Sequence, residues 1–464
     1  MSKRIISRRK FLGEASCAAM GTTTLFSSLL NLGMFNALSK SLNAPSGDYK
    51  ALVCILLSGG NDSFNMLVPN GAEYGEYALS RSGLALPQNE LLPLNPLSPG
   101  TSLALHPALQ GIQTLFEAGD LAFLSNVGTL VQPTTKAQVV AGSVPLPLGL
   151  LSHSDQAMQW QTSVPQERSA TGWGGKMADI IGSMNTSQDI SMNISLSGNN
   201  VFQSGEQTVE YTINPNDGAV SIQGYDDSDP FHQLMTSGVN SLLNQQYQDV
   251  FKTTYANVIK NSIQSNANFN EALEQVGAFN TTFSDNYVSQ SLRMIARTIA
   301  AREALGMKRQ TFFLNFGGWD HHDELLDQHA EGLGILSTAL SEFYSALDEI
   351  SMNDCVTTFS VSDFARTLTS NGNGTDHGWG GNAFIMGGAV KGKEVYGTYP
   401  NLALGSDLEL GDGILLPTTS ADEYFAELAL WFGVSPFDLP LILPNIGNFY
   451  SVGSGTNPIG FMEL

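Results

Sequence analysis

The chain has 464 residues, enough for one large α/β domain with insertions or for two or three domains. Its 43 Asp+Glu against 21 Lys+Arg give a formal net charge of -22. A surface this acidic repels polynucleotides, which excludes nucleic-acid binding as a function class. An anionic substrate would have to be drawn by local cations or a bound metal, against the global field.

Basic residues crowd the start of the chain, and Ser7-Arg8-Arg9-Lys10-Phe11-Leu12 resembles a twin-arginine export motif. The apolar run from Ala15 to about Leu38 is interrupted by Ser, Thr, Asn and Gly and is too mild for a membrane span. Residues 1–44 are therefore expected to be a twin-arginine signal, cleaved after Ala44 or kept as an uncleaved anchor. The translocation machinery is the partner this implies, and the periplasm or the exterior the destination. These residues hold six bases and one acid, so the remainder carries 15 Lys+Arg against 42 Asp+Glu, a net of -27. No stretch of the mature chain reads as a membrane span. Cys17 falls in the signal, while Cys54 and Cys355 sit in strand-like apolar runs, where a thiol behaves as a small hydrophobe.

Ala51–Leu57 is a continuous apolar run suited to a strand covered on both faces, followed by Ser58-Gly59-Gly60-Asn61-Asp62-Ser63. Residues 70–102 form an irregular excursion. A helix with Ala108, Ile112, Leu115 and Phe116 on one face stops at Gly119, and Leu121–Leu124 is the next strand. The spacing predicts a right-handed βαβ unit. Val209, Tyr211, Ile213 and then Val220, Ile222, around Asn-Pro-Asn-Asp-Gly, predict a hairpin. The text from Phe231 to Ala304 is helical. Gln310–Phe316 and Val356–Val361 are further strands, separated by an amphipathic helix through Leu333, Leu340 and Leu347. The expected organisation is an α/β core from residues 45–180 and 291–464, with 181–290 as an insertion or cap.

Three polar clusters follow three of these strands: Gly60–Ser63, Gly317–Asp323, and Asp363 with Arg366 leading into Gly374–Gly381. Sites at the carboxyl edge of a parallel sheet have this form. Of the seven histidines, His153, His321, His322 and His377 fall in polar clusters, whereas His106, His232 and His329 do not. Carboxylate and imidazole together suit zinc, manganese or a similar divalent ion. Turn chemistry is the competing use of Asp62. Arg366 could grip an oxyanion with its planar fork or make a structural salt bridge. Ser63, Ser152 and Ser154 are candidate nucleophiles or simple turn hydroxyls. There is no Gly-x-Ser-x-Gly elbow and no phosphate-binding loop ending in Lys-Ser/Thr.

The ordered set LVCILLSGGNDSFNMLVPN, LALHPALQGIQTLFEAGDLAFLSNVG, SHSDQAMQWQT, FFLNFGGWDHH and SDFARTLTSNGNGTDHGWGGNAFIMGGAVKGKEVYG resembles the DUF1501 family of exported bacterial proteins. That family is similar in fold to the alkaline phosphatase superfamily, which implies a three-layer α/β/α sandwich. The resemblance implies Asp62, Asp320, His322, Asp363 and His377 as metal ligands, for a number of ions it leaves open. It implies Ser152 or Ser154, beside His153, as nucleophile, and Arg366 is expected to hold the anion. Phe364 stands where the superfamily commonly has a metal-binding histidine. The sulfatase Cys-x-Pro-x-Arg motif is absent. The expected function is metal-dependent hydrolysis of a small phosphate or sulfate ester. The alternative is a non-catalytic binding or accessory protein that keeps the fold with a degraded site.

Overall fold

The computed structural model describes residues 48–225 and 227–464, so the expected export signal lies outside the described residues. Strand β1 (Lys50–Ser58) is apolar from Ala51 to Leu57 because helices cover both of its faces. The excursion after it carries β2 (Leu67–Pro69), β3 (Leu92–Pro93) and β4 (Leu103–Leu105), which form a small separate sheet in the order β2-β4-β3. The remaining strands are β5 (Leu121–Gly128), β6 (Asn193–Ser195), β7 (Tyr211–Thr212), β8 (Arg309–Gly317), β9 (Val356–Ser362), β10 (Arg366–Ser370), β11 (Thr375–His377), β12 (Gly381–Met386), β13 (Val395–Tyr396) and β14 (Thr419–Ser420).

The central sheet runs β13-β5-β12-β9-β1-β8-β6-β7, with β14 also on β5, while β10 and β11 pair as a separate antiparallel hairpin. All central pairings are parallel except those of β12, which is antiparallel to both β5 and β9. One face of β1 (Ala51, Val53, Ile55, Leu57) packs with the helices Gln110–Ala118, Tyr287–Ala300 and Leu325–Glu349. The other face (Leu52, Cys54, Leu56) packs with the helices His153–Thr162, Trp173–Ile181 and Ala421–Phe432. This is the expected α/β/α sandwich.

Several expectations are corrected in detail. The two strands of the βαβ unit, β1 and β5, run parallel in one sheet but are not neighbours: β9 and β12 stand between them, supplied by chain more than 200 residues later. The predicted hairpin near 209–222 reduces to one bridge, between Asn214 and Gly218. Tyr211–Thr212 pairs instead with β6, and β6 with β8, so the central sheet takes two strands from the stretch read as an insertion. Strands of two and three residues are too short to show a period in sequence. The helix Val250–Glu274 packs beyond this edge, with Phe269 against Tyr211 at 5.5 Å between ring centroids. Cys54 and Cys355 are free thiols. Among the described residues no helix is long and apolar enough to cross a membrane.

Candidate metal centre

The carboxyl ends of β1, β8 and β9 meet at one edge, in register from Lys50↔Arg309 to Ser58↔Gly317 and from Ala51↔Val356 to Leu57↔Ser362. Gly59 turns the chain there at φ +118°, and a Cβ at that position would stand 2.5 Å from the Asp320 amide nitrogen. Only glycine admits that approach. The Gly59 N–H then donates to Asp363 Oδ2 at 3.0 Å. In the β10–β11 hairpin Arg366 faces His377. The remaining contributor is His153, the first residue of the helix His153–Thr162.

Three imidazoles converge on one carboxylate oxygen. Asp320 Oδ1 lies 3.4 Å from His153 Nε2, 3.0 Å from His322 Nε2 and 3.6 Å from His377 Nε2. Each ring is held from behind through Nδ1, by Asp363 Oδ2 at 2.8 Å for His153, Asp376 Oδ1 at 3.2 Å for His322 and the Leu151 carbonyl at 2.7 Å for His377. Carbonyls and ionised carboxylates only accept, so Nδ1 carries the proton in each neutral ring and Nε2 presents a lone pair. Leu151 reaches its position at φ +71°, a strained conformation for a branched residue.

This arrangement fits a divalent ion. His322 Nε2 and His377 Nε2 face each other at 3.0 Å, lone pair to lone pair, which is repulsive until a proton or cation sits between them. His153 Nε2 is buried without a hydrogen-bond partner. Ligands each about 2.0–2.1 Å from a tetrahedral ion stand roughly 3.3–3.4 Å apart, close to the separations found here. His153, Asp320 and His377 bring their ligand atoms within 4.8 Å of one another, and His322 Nε2 stands 3.0 Å from both Asp320 Oδ1 and His377 Nε2. Burial raises the affinity of the Asp320 carboxylate for a proton, but the Arg366 hydrogen bond and charge outweigh it, with help from His153 and His322, and its pKa ends lowered. Burial, followed by the charges of His153 and Arg366, lowers that of His377, against the pull of the Leu151 carbonyl.

The other expected site residues are placed differently. Asp62 is fully buried and its Oδ2 pairs with Arg81, so it does not join the cluster. Burial raises its pKa while Arg81 and Arg366 pull it down. Asp363 stands behind His153 as its acceptor. Arg366 is also corrected: its side chain is wholly buried, Nη1 donates to Asp320 Oδ1 at 2.7 Å and to the Gly59 carbonyl at 3.3 Å, and Nε and Nη2 serve Thr375. These bonds use four of its five N–H donors, and with the side chain wholly buried none is exposed to an anion. Ser152 and Ser154 flank His153 with their hydroxyls 3.2 Å apart, Ser154 exposed. Ser63 is buried and donates nothing outward: its hydroxyl accepts the Asn382 N–H at 2.9 Å. His321 turns inward toward Trp319 and His329, and burial takes it down to about 4. The Phe364 ring lies 4.7 Å from both His153 and His377, filling the space beside the cluster. Sequence reasoning missed the supporting roles of Leu151 and Asp376; the Asp376-His377 adjacency was a signal for the second, and nothing marked the first.

A family model described as a protein of unknown function, DUF1501, matches residues 49–409. The chain belongs to this family. No curated protein matches this DUF1501 chain in sequence. Solved structures similar to it include the PsFucS1 sulfatase from Pseudoalteromonas sp., at 10% identity over 86% of this chain and 71% of that one, TM-score 0.33. A protein in the alkaline phosphatase superfamily from Vibrio parahaemolyticus is 10% identical over 87% and 75%, TM-score 0.32. The C-terminal periplasmic domain of EcEptC from Escherichia coli, in complex with Zn, is 9% identical over 74% and 73%, TM-score 0.30. At these scores no residue of the DUF1501 chain is matched to a residue of theirs.

Proposed function

We propose that this DUF1501 protein is an exported metal-dependent hydrolase of phosphate or sulfate esters, with His153, Asp320, His322 and His377 holding the ion. The observation that carries the reading is the convergence of three Nε2 lone pairs on Asp320, each ring fixed through Nδ1. Orientation of ligating histidines by carboxylates and carbonyls is the usual companion of a metal site. A divalent ion there would supply Lewis-acid chemistry to an ester oxygen. The chain's own residues prepare that step. Arg366 keeps Asp320 ionised and in place, and the half-exposed His322 and Asp320 mark the side from which a small anionic ester enters. Ser152 or Ser154 supplies the attacking hydroxyl, since these two flank His153 at the rim.

A second reading, a metal-binding protein without turnover, is favoured by Phe364 and Arg366. The phenyl ring closes off the place of a further histidine, and the cation beside the cluster, Arg366, is wholly buried with four of its five donors bonded inside the protein. The test is to load the exported protein with zinc or manganese and assay 4-nitrophenyl phosphate and 4-nitrophenyl sulfate. Turnover that is lost in His377→Ala, and lost again in Ser152→Ala or Ser154→Ala, supports the hydrolase. A loaded parent that binds metal and turns over neither ester selects the second reading.

A further inference from the structure

Arg293 and Arg297 lie one turn apart on the helix Tyr287–Ala300, so their guanidinium groups are neighbours. In a chain of net charge -22, neither has a carboxylate oxygen within 4.0 Å among the described residues; the salt bridges go to Arg81, Arg168, Arg302, Arg309, Arg366, Lys393 and histidines. Arg293 Nε donates to Gln290 Oε1 at 2.8 Å and Arg297 Nη2 to the Leu273 carbonyl at 3.1 Å. Both acceptors are neutral, and each guanidinium keeps further N–H groups unused. Burial and then the charge of Arg293 disfavour the charged form of Arg297, as expected for two like charges left together.

The two arginines line a cleft of about 460 Å³ whose facing wall is the segment from Val276 to Phe283. Phe279 and Phe283 stand in that wall with ring centroids 6.5 Å apart. The wall is built in advance. Glu349 accepts from the Asn280 N–H at 2.8 Å and the Thr281 N–H at 2.6 Å, and Glu342 accepts from the Ser284 N–H at 3.0 Å and its hydroxyl at 2.6 Å. Both Glu349 oxygens and Glu342 Oε1 are thus occupied with this loop, Glu342 Oε2 is buried without a hydrogen-bond partner, and neither acid comes within 4.0 Å of the arginine pair. The cleft is separate from the metal centre. The Tyr287 hydroxyl reaches the Leu196 carbonyl beyond β6, and the helix then runs back toward the start of β8, carrying Arg293 and Arg297 away from the histidine cluster.

We infer that this cleft is a second binding site, for an organic anion that has one oxyanion head and an apolar body. The paired guanidinium groups match a carboxylate, sulfonate or phosphate head, and the Phe279 and Phe283 rings match the body. Benzenesulfonate is a suitable probe because it has both parts and no ester to cleave. Calorimetric titration of the full exported chain is expected to show one equivalent bound by the parent and by His377→Ala. The R293Q/R297Q double variant is expected to bind at least tenfold more weakly, and inorganic sulfate to bind the parent at least tenfold more weakly than benzenesulfonate. Without ligand the double variant should melt no lower than the parent, because a like-charge contact has gone, and the single variant Arg293→Gln should rank between the two. No binding by the parent at millimolar probe, unchanged affinity in the double variant, or loss of the equivalent in His377→Ala would overturn the inference.

Discussion

Asp62 and Asp320 both follow a buried parallel strand and a Gly-Gly pair, and both contact an arginine, yet they end in opposite states. Around Asp320 the imidazoles turn their Nε2 lone pairs toward a half-open space. Around Asp62 the polar groups are buried against one another: Arg81 takes Asp62 Oδ2 and the Thr367 carbonyl, His329 takes Asn61 at 2.9 Å, and the His106 ring packs 5.7 Å from His329, while Asp62 Oδ1 and Arg81 Nε have no hydrogen-bond partner. The same residue types therefore make a half-open cluster of lone pairs in one place and a buried structural plug in the other. The difference is where the arginine sits. Arg366 pairs with Asp320 and leaves that carboxylate half-exposed, whereas Arg81 and Asp62 are both wholly buried.

The largest effect that would break this comparison is on stability. Asp62→Ala leaves Arg81 as an unpaired buried charge, which should cost roughly 3–5 kcal/mol in denaturant unfolding while metal content stays that of the parent. Loss of the metal with little loss of stability would move Asp62 into the ligand set. Next in size is the pH dependence of the sealed region. Burial takes His106 from an ordinary 6.5 down to about 4. The unfolded chain gains a proton in that window that the folded chain refuses, so this part of the stability is complete above about pH 6.5 and falls as the pH drops toward 4. The contribution is roughly 3 kcal/mol at the lower end. Unfolding free energies measured from pH 7 to pH 4 should lose that slope in His106→Asn.

A smaller effect sharpens the other side. Asp376 is largely exposed and holds His322 through Nδ1. Asp376→Asn should weaken metal affinity by about 10–100-fold, as other supporting carboxylates do, and change stability by no more than about 0.5 kcal/mol. Competitive titration with a chelator reads the first and thermal unfolding the second. An unchanged affinity would mean that His322 needs no support or is not a ligand.

The sandwich and the edge that carries the site are legible in the sequence, because a strand buried on both faces writes a continuous apolar run and Ser-Gly-Gly-Asn-Asp or Gly-Gly-Trp-Asp-His marks its end. Asp320, His322 and His377 could be placed together from that alone. The fate of Asp62 could not, since Arg81 lies 19 residues on in a helix whose register nothing local fixes. Arg366 reads as an anion grip for the same reason: five donors are visible in the sequence, but the Thr375, Gly59 and Asp320 acceptors that take four of them, and the burial of the whole side chain, come from the folded arrangement. His153 reads as a neighbour of two serines, and only the helix start at Ser152 turns it into the cluster. Long-range strand order was likewise hidden, because β9 and β12 enter between β1 and β5 from the far end of the chain.

The central claim is that three imidazoles and one carboxylate make a metal centre. Elemental analysis of the purified protein, joined to X-ray absorption at the edge of whatever metal it carries, tests that claim directly. The expected result is close to one divalent ion per chain with a multiple-imidazole signature, lost in both His153→Ala and His377→Ala. A protein that carries no ion after loading, or keeps it unchanged in both variants, would contradict it.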